Sequence, residues 1–269
     1  MRFTPPVLVS PKSSSVWAVP VLAAIAFAIL LASGENRPVF FLINSIGPQT
    51  SDELWANITI LGDTTVALAL CLPLWRRRPE LLWALVIGAA CSTAWVHVLK
   101  PLFEVPRPPA VLGDAVHVIG PAYRAGSFPS GHATTSFALA GLIVMALGWR
   151  AASLVALGIG FMVALSRAVV GVHWPLDVLA GAFGGWLSAF IGLWLAQRTP
   201  QIGRKAWVQS IVAVVLAGGC VALVVGVKTG YPQALWFERG LGVLSLVITA
   251  VLWWRDRRGG GAADRRAAM

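Results

Sequence analysis

Long apolar runs recur along almost the whole of this 269-residue chain, separated only by short polar segments. A helix needs about 20 mostly apolar residues to cross the hydrocarbon core of a bilayer, and most of these runs approach that length. They do not alternate apolar and polar residues, and in lipid the backbone must hydrogen-bond within a helix or a closed barrel. The sequence therefore predicts an all-α fold, a polytopic bundle of transmembrane helices. Its eight candidate spans are 16–33, 55–75, 81–99, 134–147, 151–170, 175–195, 207–227 and 235–254.

Two of these spans are unusual. The fourth, 134–147, is short, and the second contains Asn57, Asp63 and Pro73. An ionisable residue inside a bilayer is costly unless it faces protein or ends a helix. We therefore expect Asp63 to cap a break in the second helix directly after Gly62.

The charge composition excludes a soluble domain and leaves two explanations for the excess of cations. Only 12% of the residues are charged, against about 25% in a typical soluble domain. The 21 Lys and Arg outnumber the 11 Asp and Glu, which gives a net charge of +10. Such an excess fits an acidic partner such as nucleic acid, or the positive-inside bias of a membrane protein.

The positions of the cations favour the membrane protein. With the N-terminus in the cytoplasm, every inner connection is basic, as the positive-inside rule requires, and no basic face for nucleic acid remains. The predicted location is thus a bacterial inner membrane, with both termini cytoplasmic. Fourteen cations lie on the inner side (Arg2, Lys12, Arg76, Arg77, Arg78, Arg150, Arg198, Arg204, Lys205, Arg255, Arg257, Arg258, Arg265 and Arg266) and seven on the outer side (Arg37, Lys100, Arg107, Arg124, Arg167, Lys228 and Arg239).

The first apolar run has a second interpretation, because Arg2 and Lys12 precede it as they would precede the core of a signal peptide. Its 18 residues exceed the 7–15 typical of such a core, which favours a retained helix. The orientation of the remaining helices is the same in either case.

Polar residues of the types that bind anions or transfer protons gather on the outer side, each close to a predicted helix end. The longest outer connection carries Lys100, Arg107 and the segment 129–132, and the next carries Arg167 and the segment 173–177. Three of the seven outer cations, two of the four histidines and one carboxylate therefore meet on one face. This combination predicts an anion site with an acid–base pair beside it.

Two local patterns support that prediction, although each has a structural alternative. Ser130 and Gly131 precede the fourth span, where backbone N–H groups and the helix dipole favour an anion. A serine taken alone at such a position is more often an ordinary N-cap than a ligand. His173 and Asp177 stand four residues apart at the start of the sixth span. The carboxylate can accept a hydrogen bond from one ring nitrogen of His173 and leave the other nitrogen free to attack. Such a pair is about as often a structural hydrogen bond as a catalytic one.

Three motifs together resemble the signature of the type-2 phosphatidic acid phosphatase superfamily. They are Lys100-x6-Arg107-Pro108, Pro129-Ser130-Gly131-His132 and Ser166-Arg167-x5-His173-x3-Asp177, in the family's order and spacing. The resemblance implies an all-α bundle whose motifs gather at one membrane face, in bacteria usually the periplasmic one. A six-helix core would occupy about 16–196.

The resemblance also implies a role for each residue of the motifs. His173 would be the nucleophile that forms a phosphohistidine, Asp177 would orient it, and His132 would protonate the leaving oxygen and later activate water. The phosphate would be held by Lys100, Arg107, Ser130, the Gly131 backbone and Arg167. Spacing alone does not decide which histidine attacks.

No metal or other cofactor is expected. Phosphoryl transfer requires mainly positioning and neutralisation of charge, which three cations and a helix start can supply. No His or carboxylate cluster has the spacing of a Mg²⁺ or Zn²⁺ site, and Cys71, Cys91 and Cys220 are scattered within apolar spans.

The expected partners are the lipid bilayer and a membrane lipid phosphate. The leading interpretation is a phosphatase for a lipid phosphomonoester or diphosphate, first undecaprenyl diphosphate, then phosphatidic acid or phosphatidylglycerol phosphate. A lipid phosphotransferase or a lipid A phosphatase would use the same site. A soluble vanadium haloperoxidase conflicts with eight spans, and a non-enzymatic lipid-binding or lipid-scrambling protein does not need the two histidines and Asp177.

The C-terminal part of the chain departs from the family core. We predict a six-helix phosphatase core in 1–200, a transmembrane helix pair in 201–254 and a basic disordered cytoplasmic tail in 255–269. Glu238 and Arg239 lie at the outer turn of the pair, where they would border the substrate entrance or form an interfacial ion pair.

Overall fold

The computed structural model describes residues 14–226 and 229–267, and the side chains of 16–226 and 229–258 within them. These residues form helices, turns and loops, with no β-strand among them. The predicted all-α fold is therefore confirmed.

Twelve α-helices and three short 3₁₀ turns follow one another along the described residues. The helices are α1 Ser14–Ser33, α2 Asn36–Asn44, α3 Asp52–Ile60, α4 Thr64–Cys71, α5 Pro79–Phe103, α6 Pro108–Leu112, α7 Gly131–Leu147, α8 Ala151–Val169, α9 Pro175–Arg198, α10 Pro200–Gly203, α11 Ala206–Val225 and α12 Leu235–Ala267. The 3₁₀ turns are Leu72–Leu74, Gly113–Ala115 and Pro232–Ala234.

Six segments within the described residues are long and apolar enough to cross a membrane. The pair α3 and α4, bent by 60° at its break, makes a seventh if the two are one span, and α7 is shorter than a full span. Each of the eight predicted spans thus coincides with a helix or, for the second span, with the pair α3 and α4, but the count of eight full spans is not confirmed. The six are Val16–Ser33, Pro79–Ala115, Ala151–Val169, Pro175–Arg198, Ala206–Val225 and Pro232–Arg258.

The break in the second span lies where the sequence predicts it. Asp63 is the N-cap of α4, and its Oδ1 accepts hydrogen bonds from the backbone N–H groups of Thr65 at 2.7 Å and Val66 at 3.4 Å. A Cβ on Gly62 would lie 2.9 Å from the Cβ of His132. The lack of a side chain at Gly62 therefore lets the break approach the start of α7 closely.

Helix α9 lies at the centre of the bundle and packs against α1, α5 and α7. Its small residues permit this closeness, because a Cβ on Gly185 would lie 2.1 Å from the carbonyl oxygen of Thr134 in α7. The N–H of Ser130 donates to the carbonyl oxygen of Asp177 at 3.0 Å. This packing sets the starts of α7 and α9 side by side, and both starts carry residues of the predicted site.

The C-terminal helices α11 and α12 pack on each other and on α4. Leu216, Cys220 and Leu223 of α11 are buried against Val66 and Leu72. The predicted C-terminal pair thus contacts the rest of the bundle through the second half of the broken span. The domain boundaries themselves stay predictions.

The end of the chain differs from the prediction of a disordered tail over 255–269, because α12 continues as a helix to Ala267. Arg255 to Arg258 are compatible with helix, and the Asp256 carboxylate lies 3.0 Å from the Arg77 guanidinium. Residues 268 and 269 lie outside the described part of the chain.

Candidate active site

All eight residues predicted for the site come together at the end of the bundle where α7 and α9 begin. The charges of Arg107, Arg167 and Lys100 all act on His173, as does His132. Asp177 contacts His173 directly, and Ser130 with Gly131 forms the adjoining helix start. The structure therefore assembles one cluster from three stretches of chain.

His173 and Asp177 form a buried pair at the start of α9. The Nδ1 of His173 lies 3.4 Å from Oδ2 of Asp177, and the two residues are 2% and 1% exposed. The same Oδ2 accepts hydrogen bonds from the N–H of Trp174 at 2.8 Å and from the hydroxyl of Ser127. Pro175 begins the helix and fixes the approach of the chain. Asp177 is thus held in place by neighbours other than the histidine that it faces.

The other ring nitrogen of His173 faces Arg107. Nη1 of Arg107 lies 3.2 Å from Nε2 of His173, and the guanidinium also donates to the carbonyl oxygens of Ala125, Gly126 and Val172. A guanidinium has only donors, so Nε2 is the acceptor and the ring proton resides on Nδ1, toward Asp177. The lone pair of Nε2 is therefore the nucleophilic position of this ring.

The environment of His173, in the loop between α8 and α9, favours the neutral imidazole. Burial, and after it the positive charges of Arg107, Arg167 and Lys100, hold the pKa of His173 well below its ordinary value of about 6.5. A neutral ring keeps its lone pair at neutral pH, as nucleophilic attack requires.

Arg167 lies in the last turn of α8 and is 2% exposed. Its Nη1 donates to the hydroxyl of Thr59 at 2.5 Å and to the hydroxyl of Tyr231 at 2.8 Å. Both acceptors are neutral, so the positive charge of Arg167 stays available to an anion. Neither Thr59 nor Tyr231 is predicted from the sequence, because their separation from Arg167 along the chain gives no local pattern.

Ser130 has the structural role left open by the sequence. It is the N-cap of α7, where its hydroxyl accepts weakly from the N–H of Ala133 at 3.5 Å. The N–H groups of Gly131 and His132 lie in the first turn, where helical N–H groups have no partner within the helix. A phosphate-binding role for Ser130 and Gly131 stays a prediction.

His132 and Lys100 border a cavity of about 280 Å³ between α4, α5 and α7. The Nε2 of His132 is inaccessible to solvent and has no hydrogen-bond partner among the described residues. Beyond these polar groups the walls are largely apolar, with Leu68, Leu85 and Leu139 among their residues. The cavity therefore joins a polar end at the candidate site to an apolar interior.

The two remaining histidines and the C-terminal charged pair lie outside this cluster. His97 lines the cavity, and Nε2 of His117 lies 2.8 Å from Oδ1 of Asp52. Glu238 is buried and accepts a hydrogen bond from Thr229 rather than from Arg239.

No group of three or more His, Cys, Asp and Glu that could hold a metal ion occurs among the described residues. Asp177 is the carboxylate that the site brings against His173, while the charges of three cations act on the same ring. The donor set of this cluster fits an anion rather than a metal cation.

The segment 80–201, which contains all eight predicted site residues, matches the model of the PAP2 superfamily. The lipid A 4'-phosphatase of Bacteroides thetaiotaomicron is 32% identical over 45% of this chain and 59% of its own length. The putative undecaprenyl-diphosphatase YbjG of Escherichia coli is 45% identical over 64% of this chain and 86% of its own length. Among solved structures, Aquifex aeolicus LpxE is similar with a TM-score of 0.53 and 30% identity, over 58% of this chain and 93% of LpxE.

Proposed function

Since this chain belongs to the PAP2 superfamily, we propose that it is an integral membrane phosphatase that hydrolyses a lipid phosphomonoester or diphosphate. The observation that carries this proposal is the cavity that leads from His132 and Lys100 into apolar walls. A soluble phosphate ester needs no such space, whereas the first segment of a lipid chain fits it.

The proposed reaction begins with attack by Nε2 of His173 on the phosphorus. A nitrogen–phosphorus bond forms, the bond to the leaving oxygen breaks, and His132 gives that oxygen a proton. Water then attacks the phosphohistidine, loses a proton to His132 and displaces His173, which releases phosphate. Asp177 keeps the His173 ring proton on Nδ1 throughout.

The cations act on the charge that develops during both steps. The charges of Lys100, Arg107 and Arg167 all act on the ring that attacks, so we propose that they stabilise the equatorial oxygens of the transferring group. Fixed positive charges in a buried site need little reorganisation as the transition state forms. Arg107 must also release Nε2 of His173 when the phosphate enters, because the two are hydrogen-bonded in the free site.

Undecaprenyl diphosphate is the first choice of substrate. It combines a long apolar chain, suited to the cavity, with a highly charged head group, suited to three cations. The relative YbjG carries the name of an undecaprenyl-diphosphatase, while a lipid A 4'-phosphatase is also among the relatives. Lipid A is therefore the second candidate.

The substrate is tested with purified protein and a panel of undecaprenyl diphosphate, phosphatidic acid, phosphatidylglycerol phosphate and lipid A. Both free phosphate and phosphorylated acceptor are measured. We expect release of phosphate, fastest from undecaprenyl diphosphate. Transfer of the phosphoryl group to an acceptor without release of phosphate would identify a phosphotransferase instead of a hydrolase. If no lipid of the panel is turned over, the proposal is refuted.

The proposed orientation places the active site in the periplasm, on the basis of the cation distribution. Ala122 is exposed beside the site, and Arg150 is exposed at the opposite end of α7. An impermeant thiol reagent added to intact spheroplasts should label the Ala122→Cys variant, and label Arg150→Cys only after permeabilisation. The reverse pattern would refute the orientation.

A further inference from the structure

A tyrosine from the C-terminal helix pair reaches the candidate site. Tyr231 lies between α11 and α12, outside the segment 80–201 that matches the family. Its hydroxyl accepts a hydrogen bond from Nη1 of Arg167 at 2.8 Å, and the Arg167 guanidinium carbon lies 6.0 Å from the centre of its ring. The part of the chain with no recognisable motif therefore contacts a predicted phosphate ligand directly.

The hydrogen bonds of Arg167 leave one edge of its guanidinium available. Nη1 carries two hydrogens, and its two acceptors are the hydroxyls of Thr59 and Tyr231. The Nε is buried without a hydrogen-bond partner among the described residues. A guanidinium binds an anion best through two parallel N–H donors. With Nη1 occupied, the edge formed by Nε and Nη2 is the one that remains for a phosphate.

The phenol ring itself is firmly placed. Tyr231 is 4% exposed and packs in a cluster that includes Trp55, Ile60 and Val170. A Cβ on Gly120 would lie 2.6 Å from the ring, so the outer connection passes directly against it. A hydroxyl on a ring held by packing keeps a defined position, and it imposes that position on Arg167.

We infer that Tyr231 is a positioning residue, which turns the Nε–Nη2 edge of Arg167 toward the phosphate and so makes the C-terminal pair part of the active site. The inference rests on the proposed function for its consequence in catalysis. The binding of an anion by Arg167 is measurable without any turnover.

The test is Tyr231→Phe, which removes the hydroxyl and keeps the packed ring. We expect the dissociation constants of inorganic phosphate and orthovanadate to rise about tenfold. We also expect kcat to fall about tenfold, equivalent to about 1.4 kcal/mol, with little change in the KM of the lipid. Unchanged binding and unchanged kcat would overturn the inference.

Thr229→Val is the control, because it removes another hydroxyl contact of the connection between α11 and α12, the partly buried hydrogen bond from Thr229 to Glu238 at 2.7 Å. It should leave phosphate binding and kcat near wild type. Equal losses in both variants would show that Tyr231→Phe acts by loosening the connection, and the inference would fail. The melting temperature of each variant reports whether it is folded.

A double variant gives the second arm. In an Arg167→Lys background, adding Tyr231→Phe should weaken phosphate binding no further, whereas two independent effects would multiply. The wild-type protein can also be labelled with 3-fluorotyrosine, since the chain has only two tyrosines. The ¹⁹F resonance of Tyr231 should shift when inorganic phosphate is added, and its failure to shift would count against the inference even if the Phe variant did not fold.

These arms separate the two proposals. A wild type that binds phosphate and responds at Tyr231 but hydrolyses no lipid of the panel would refute the proposed function and retain the Tyr231–Arg167 relationship. If the wild type hydrolyses lipids and Tyr231→Phe is indistinguishable from it, the proposed function is retained and the inference about Tyr231 is refuted.

Discussion

Nη1 of Arg107 lies 3.2 Å from Nε2 of His173, on the opposite side of the ring from Asp177. The imidazole is thus held between a donor that marks its lone pair and a carboxylate that accepts its proton. In the proposed mechanism this arrangement leaves Nε2 of His173 as the attacking nitrogen, whereas the spacing of the motifs alone does not decide which histidine attacks. It also makes His173 rather than His132 the residue best prepared for attack.

Replacing the proposed nucleophile should abolish turnover. We expect His173→Ala to lower kcat by a factor of about 10³ or more, because attack requires the oriented lone pair of Nε2, which alanine does not supply. His117→Gln is the control, since His117 pairs with the half-exposed Asp52, and such a contact contributes at most about 1 kcal/mol. Phosphate release from the best lipid of the panel is the measurement. Normal kcat in His173→Ala would exclude the phosphohistidine mechanism.

The protonation of His173 should follow its environment. Its folded-state pKa lies below the unfolded value of about 6.5, so the neutral ring contributes its full stability above that pH. The contribution is lost as the pH falls toward the folded-state pKa. We expect the acid limb of kcat/KM to lie below pH 6.5 for the same reason.

Nitrogen-15 NMR of histidine-labelled protein measures this pKa directly, because the chain has four histidines and His173→Gln assigns the resonance. The Nε2 signal should remain that of a neutral ring at pH 6.5. A ring already half protonated at that pH would contradict the structure.

Arg107 cannot be replaced by lysine without loss. Its guanidinium donates to three backbone carbonyl oxygens and to His173, in a fork that a single ammonium does not reproduce. We expect Arg107→Lys to lower the free energy of unfolding by about 2 kcal/mol and kcat by about 10². Thermal unfolding in detergent and steady-state kinetics measure the two effects.

Arg124→Lys provides the comparison, since Arg124 is exposed in the same connection. It should match the wild type in both measurements. Equal behaviour of the two lysine variants would show that the fork of Arg107 has no role.

Orthovanadate should inhibit, and EDTA should not. Vanadate adopts the five-coordinate geometry of the transferring phosphorus, so the same cations should bind it tightly. The described residues around His173 present positive donors rather than a set of metal ligands, so the proposed steps need no metal. Phosphate release is measured after dialysis against EDTA and after addition of Mg²⁺ or Zn²⁺. Activity that vanishes with EDTA and returns with one metal would refute the proposed mechanism.

The sequence predicts the helices well, and the eight candidate site residues lie together in the structure, because both signals are local; the roles of these residues stay predictions. Apolar runs mark the helices, and each site residue stands within a few positions of a helix end that its own neighbours define. The break at Asp63 is predictable for the same reason, as an acidic residue inside an apolar run needs backbone partners.

The contributions of Thr59 and Tyr231 are not predictable in this way. A hydroxyl that contacts Arg167 across 108 or 64 residues leaves no pattern in the sequence, since only the packing of α3 and of the C-terminal connection brings it there. The continuation of α12 beyond residue 254 is not predicted, for a different reason. Composition suggests a solvated tail, whereas its residues also tolerate helix.

The close packing of α7 against α9 should itself be required for activity. A Cβ on Gly181 would lie 2.6 Å from the carbonyl oxygen of Ser130, so Gly181→Ala must move the two helix starts apart. The hydrogen bond from the N–H of Ser130 to the backbone carbonyl oxygen of Asp177 would weaken. The carboxylate of the same residue would then be held less firmly beside His173. We expect kcat to fall at least about tenfold and the melting temperature to fall as well. Gly158→Ala is the matched control, because a Cβ there meets nothing within 4 Å and helix propensity favours alanine by up to about 1 kcal/mol. If Gly181→Ala and Gly158→Ala both retained wild-type kcat, the close packing of the two helix starts would not be required to position His173 and Asp177.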